Sequence, residues 1–147
     1  MSLKDWLDNG WLKPHQTSKQ EIINLLDIVK RDLNDAMLDG LSIDWKFSIA
    51  YNAALKLCTI ILYTQGYRPE NALAHYRTIM SIKEINPQNW EYHSVYLNSC
   101  RMLRNILEYD KTNSITEDDA TKLIAFSKSF LSEVMIFLSQ NYPQLLK

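Results

Sequence analysis

An all-α fold is what this sequence predicts, and three observations predict it. Only three glycines and four prolines punctuate the 147 residues, β-branched runs bounded by turns are absent, and apolar residues recur at threes and fours through several long segments. The chain reads as one domain over residues 1–147, large enough to bury a core without metals or disulfides. Its formal charge is −1, so there is no global basic field to hold long nucleic acid, and any basic site must be local.

The segment up to Thr17 is an aromatic arm. Leu3, Trp6 and Leu7 suit one or two turns of amphipathic helix that Asn9 and Gly10 stop, leaving Trp11 and Leu12 to dock nearby. This opening is mixed polar and aromatic rather than basic and then apolar, so no signal peptide is expected and a cytoplasmic location follows. His15 has no companion in sequence for ligation or catalysis and reads as a loop residue. Ser18 and Glu21 then form an S-x-x-E capping box, opening a helix whose Ile22, Leu26, Val29, Leu33 and Ala36 repeat until Gly40. Asp27 and Arg31 are spaced for a pair on its solvated face.

The next helix begins near Ser42 or Asp44 and ends at Gly66. Apolar residues from Ile43 and Trp45 through Phe47, Tyr51, Leu57 and Ile61 cover most of its circumference, the pattern of a helix surrounded by others. Asp44, Ser48, Asn52, Lys56, Thr59 and Tyr63 form one polar stripe. Asn52 and Lys56 in mid-segment argue for a core helix and against a membrane span.

A short helix from Asn71 to Ile82 follows, and then Asn86 and Pro87 open a helix running to about Tyr109. Its inner face is expected to carry Tyr92, Tyr96, Ser99, Leu103 and Ile106. His93, Leu97, Cys100, Arg101 and Arg104 share a second face, read as half-exposed with the arginines solvating it. The last helix starts at Thr116 and stops near Asn141, before Pro143. Glu117, Asp118 and Asp119 in its first turn are explained by capping and the helix dipole, so no metal site is read there and no cofactor is expected. Cys58 and Cys100 are expected buried and reduced. Four long helices joined by short turns suggest an antiparallel four-helix bundle, with the short extra helix between the second and third.

Chemistry concentrates after Gly66, where Arg68 is followed by His75, Tyr76 and Arg77. An arginine at a helix N-terminus makes an anion site, and a histidine on the same helix moves protons near neutral pH. Together they suit RNA cleavage without a metal. The histidine takes the 2′-hydroxyl proton or protonates the leaving oxygen, while the arginine stabilises charge at phosphorus.

The apolar helix containing Ala50-Tyr51-Asn52-Ala53-Ala54, the Gly66-Tyr67-Arg68 turn and then His75 resemble HEPN domains. The resemblance extends from about Ser18 to Gln140. It implies a small helical bundle, commonly a homodimer, and in catalytic members an Arg, four to six residues and a His that cleave RNA without metal in toxin–antitoxin or defence systems. Arg68 and His75 fit that pattern with six residues between them, although Pro69 stands where ribonuclease members often carry a polar residue. The implied assignment is a metal-independent endoribonuclease using Arg68 and His75, with Arg77, Asn52 and Tyr76 contacting substrate. RNA or a nucleotide, and an antitoxin or a nucleotidyltransferase, are the implied partners. The alternative is a non-catalytic nucleotide-binding or protein-interaction module.

Overall fold

The computed structural model describes residues 2–109 and 115–147, with residues 107–109 described by backbone alone. Six helices dominate it: α1 (Leu3–Asp8), α2 (Lys19–Asp35), α3 (Ile43–Thr64), α4 (Ala74–Ile85), α5 (Pro87–Tyr109) and α6 (Glu117–Asn141). A 3₁₀ turn, Pro143–Leu145, follows them. The expected all-α character holds, with one addition. Two three-residue strands, β1 (Leu12–Pro14) and β2 (Tyr67–Pro69), pair antiparallel with Lys13 opposite Arg68.

Helix boundaries follow local chemistry. The Ser18 hydroxyl accepts from the Glu21 N–H at 3.1 Å and starts α2, but the Glu21 carboxylate does not return to close a box. It accepts from Thr17 and meets His15 Nε2, each at 2.7 Å. At α6 the box is complete, with Thr116 and Asp119 bonding each other's backbone N–H at 3.0 Å. Asp119 is thus the capping member of the acidic first turn, and Glu117 and Asp118 lie beside it at the positive end of the helix dipole. Gly66 ends α3 at φ +88°, a left-handed conformation that L side chains rarely adopt.

Helix α3 occupies the middle of the fold. Phe47, Ala50, Tyr51, Ala53, Ala54, Leu57, Cys58, Ile60 and Ile61 are buried, whereas Trp45, expected inside, is 64% exposed. Small residues let neighbours approach closely, and Ser127 of α6 donates to the Ala50 carbonyl at 3.2 Å. Arg31 pairs with Asp32 at 2.9 Å. Both cysteines are free and buried, and burial holds each thiol above its ordinary range, Cys100 at about 11. By length and composition α3 and α6 are apolar enough to cross a membrane. The apolar circumference of α3 is spent on its own neighbours.

The orientation of α5 corrects the expected inner face. Trp90, Ser94, Leu97 and Cys100 are buried, while Tyr92 is 58% and Ile106 41% exposed. Trp90 decides the rotation by packing edge-on against Phe130 and Phe137. Ser94 donates to the Ile79 carbonyl at 2.9 Å, so a small polar side chain sits where α4 and α5 touch. The face holding His93, Leu97, Cys100 and Arg104 therefore turns inward.

The ribbon was not foreseen. Leu12 is buried with Trp6 and Leu62 in a second, smaller core that fastens the arm to the end of α3. Backbone bonds from His15 to Gly66 and from Glu70 to Trp11, at 2.8 and 2.9 Å, extend the ribbon beyond both ends. A Lys13–Glu70 ion pair at 3.1 Å crosses its surface.

Candidate functional site: a cationic and aromatic face on α4 and α5

Helix α4 begins without a side-chain cap. Its N-cap, Leu73, is an exposed non-glycine residue in the left-handed region at φ +56°. The turn that follows presents His75, Tyr76 and Arg77 in succession, with His75 exposed and the other two half-buried.

Successive helical positions diverge by about 100°, so these three side chains go to different neighbours. The His75 ring lies 6.4 Å from the ring of Tyr51 on α3. Tyr76 faces the guanidinium of Arg101 on α5 at 5.4 Å. Arg77 lies 3.9 Å over the indole of Trp11 in the arm and 5.8 Å from the ring of Tyr76.

Tyr51 joins the α4 and α5 sides of this face. Arg104 of α5 holds its guanidinium carbon 5.4 Å from the Tyr51 ring, which thus has His75 and Arg104 as neighbours. Burial pushes the Tyr51 hydroxyl well above the ordinary phenol range, against the opposing pull of Arg104 and Arg101. It is therefore a neutral donor at any physiological pH, buried without a hydrogen-bond partner among the described residues. A buried polar atom of this kind is uncommon and marks a place where the fold has been held to something other than packing.

Tyr51 of α3 thus has His75 of α4 and Arg104 of α5 as ring neighbours, and Tyr76 has Arg101. Arg101 also donates to Asn98 Oδ1 at 2.9 Å, which fixes its fork. Among the described residues the ion pairs are Lys13–Glu70, His15–Glu21, Arg31–Asp32 and His93–Glu133. Arg77 and Arg101 are in none of them, and each guanidinium lies beside an aromatic ring. No group of three or more His, Cys, Asp or Glu suited to a metal occurs among the described residues.

The five residues singled out in the sequence are distributed unevenly. His75 belongs to the cluster around Tyr51, and Tyr76 and Arg77 adjoin it. Asn52 is half-buried on the polar stripe of α3. Arg68 is exposed on the ribbon opposite Lys13, and its charge acts on Tyr63 and Glu70. Sequence reasoning passed over Tyr51, counted as core, and Arg104, counted as solvating. The available signal was Arg101 and Arg104 three apart on the same face as Leu97 and Cys100.

Fold and face give a small helical domain that sets arginines against aromatic rings on α4 and α5. No family model, curated protein or solved structure matches the chain.

Proposed function

We propose that the chain is a HEPN-like domain that acts on RNA, a metal-independent endoribonuclease of toxin or defence type whose reacting groups are His75 and Arg104. The observation that supports this is that His75 of α4 and Arg104 of α5 both neighbour the Tyr51 ring of α3, at 6.4 and 5.4 Å. His75 removes the 2′-hydroxyl proton, the 2′-oxygen attacks phosphorus, and the bond to the 5′-oxygen breaks. The departing 5′-oxygen takes a proton from water, leaving a 2′,3′-cyclic phosphate and a 5′-hydroxyl, and His75 releases its proton to solvent. Arg104 stabilises the charge that builds on the phosphoryl oxygens, and Arg101 holds the adjoining phosphate. Tyr51 is a positioning residue, because its buried ring supports both His75 and Arg104 without reaching solvent. Arg104 takes the role first expected of Arg68 because it shares Tyr51 with the histidine.

In this reading the four long helices α2, α3, α5 and α6, with α4 inserted, form an antiparallel four-helix bundle. A homodimer completes it. Tyr92, Val95, Met102 and Ile106, exposed on α5 at heptad spacing around Ser99, support pairing of two copies. A cytoplasmic location away from membranes fits an RNA substrate and the enclosure of α3. An antitoxin is the partner class of such an enzyme.

A second reading has its own observation. The exposed histidine at this face is single, whereas cleavage needs both a base and an acid, so the same face serves equally as a non-catalytic nucleotide-binding module, including one partnered with a nucleotidyltransferase. The test is to incubate the protein and its His75→Ala variant with structured and unstructured RNA in excess chelator and to examine product ends. Cleavage by the unmodified protein alone, leaving cyclic phosphates, is the expected result. No cleavage across a broad RNA panel, or equal cleavage by the variant, overturns catalysis and leaves the binding module.

A further inference from the structure

Between the arm and α4 runs a groove of about 270 Å³, whose lining includes Trp6, Trp11, Tyr76, Arg77, Lys83 and Glu84. It lies just below the range of roughly 300–1,000 Å³ typical of ligand clefts, a size that suits a single small unit. Its chemistry is mixed. The Arg77 guanidinium lies 3.9 Å over the Trp11 ring, a contact that restrains it within the groove, and a planar guanidinium can stack on a base or pair with a phosphate. Arg77 forms no ion pair among the described residues, and Lys83 adds a second positive charge further along α4.

Glu84 narrows the choice of ligand. A bare anion or an acidic peptide would meet this carboxylate as a repulsive neighbour. A nucleotide satisfies every wall at once: its phosphate meets Arg77 and Lys83, its flat base stacks on the guanidinium or on Tyr76, and its hydroxyl or amine donors meet Glu84. Tyr76 also faces Arg101, so the groove adjoins the His75 cluster.

We propose that this groove is a nucleotide-binding subsite, holding one base with its phosphate, either as a free mononucleotide or as one unit of a single strand leading to His75. Its role on a strand rests on the RNA reading above; its affinity for a nucleotide does not.

The experiment is equilibrium binding in chelator, read by quenching of tryptophan fluorescence with AMP and by anisotropy with a labelled single-stranded RNA of about eight nucleotides. Arg77→Ala is expected to weaken binding about 5- to 100-fold, the range measured for loss of one stacking contact. Arg77→Lys should lose nearly as much, because it keeps the charge and loses the plane. Lys83→Ala, at a half-exposed position on the helix surface, should lower affinity several-fold and reduce the salt dependence of RNA binding by about one ion. A response to both probes supports a strand subsite, and a response to AMP alone supports a free-nucleotide site. Failure of the wild type to bind either probe, or wild-type affinity in both Arg77→Ala and Lys83→Ala with unchanged circular dichroism, overturns the proposal. His75→Ala separates the two claims, since it should lower cleavage about 10²- to 10⁴-fold and leave binding in the groove intact.

Discussion

His93 on α5 packs against Phe126 and Phe130 with Nε2 3.1 Å from Glu133, whereas His75 on α4 is exposed and lies near Tyr51. The same imidazole is placed in two different settings. Glu133 also accepts from the Trp90 indole at 3.3 Å, so it ties His93 and Trp90 together and clamps α5 to α6. His15 repeats the device on the arm, with Glu21 at 2.7 Å and the Tyr63 ring tilted against it at 4.2 Å. A histidine closed between a carboxylate and aromatic rings is a fastener. One at an exposed edge near arginines has the access that proton transfer to a substrate needs.

The sharpest way to break this contrast is a pair of variants that fail in opposite ways. His75→Ala should lower the cleavage rate about 10²- to 10⁴-fold, the usual contribution of a general acid or base, and move the urea midpoint little because the side chain is exposed. A variant that lost stability and kept its rate would make His75 another fastener. His93→Ala should do the reverse, costing about 1–3 kcal/mol in chemical denaturation through lost packing and a half-satisfied Glu133, with the rate per folded molecule unchanged.

A smaller effect tests the arm. Glu21 is partly exposed, and although burial alone would raise its pKa, hydrogen bonds from Thr17 and His15 hold it below the ordinary carboxylate range. Its contribution is therefore present in full above the unfolded carboxylate pKa and lost as pH falls through the lower folded value. Glu21→Gln should cost about 1 kcal/mol at neutral pH after allowance for solvent screening, and the difference from wild type should shrink in acid unfolding below about pH 4. The smallest effect is expected on the ribbon. Arg68→Ala should change stability by less than about 0.5 kcal/mol and leave cleavage within about twofold of wild type. A large loss of cleavage would return the catalytic arginine to β2.

Much of the helical framework was legible because long helices advertise themselves repeatedly. Ser18, Pro87, Thr116 and Gly66 each mark a boundary by local chemistry, and the apolar circumference of α3 marks its central place. The rotation of α5 was hidden by composition. It carries apolar residues on two faces, and the inner one includes Ser94 and Cys100, whereas the outer one displays Tyr92 and Ile106. The choice depends on where Trp90 finds Phe130 and Phe137, which no local pattern records. The ribbon escaped for a related reason. Three-residue strands are too short for an alternating pattern to develop, and Pro14 and Pro69 argue against a strand unless it lies at an edge.

For the candidate site, His75 could be read from sequence because its side-chain chemistry and helix-start context are local. Arg104 could not, because its significance comes from Tyr51, a residue in another helix that reads as plain core.

The ribbon also sets an order of events during synthesis. Leu12 emerges from the ribosome early but must wait for Pro69 before its strand has a partner. Helices α2 and α3, which lie entirely within the intervening loop, are made first and bring its ends together, which lowers the entropic cost of joining them. Until then Trp6 and Leu12 lack the ribbon that holds them over Leu62, and a nascent chain halted before β2 would carry an undocked aromatic arm.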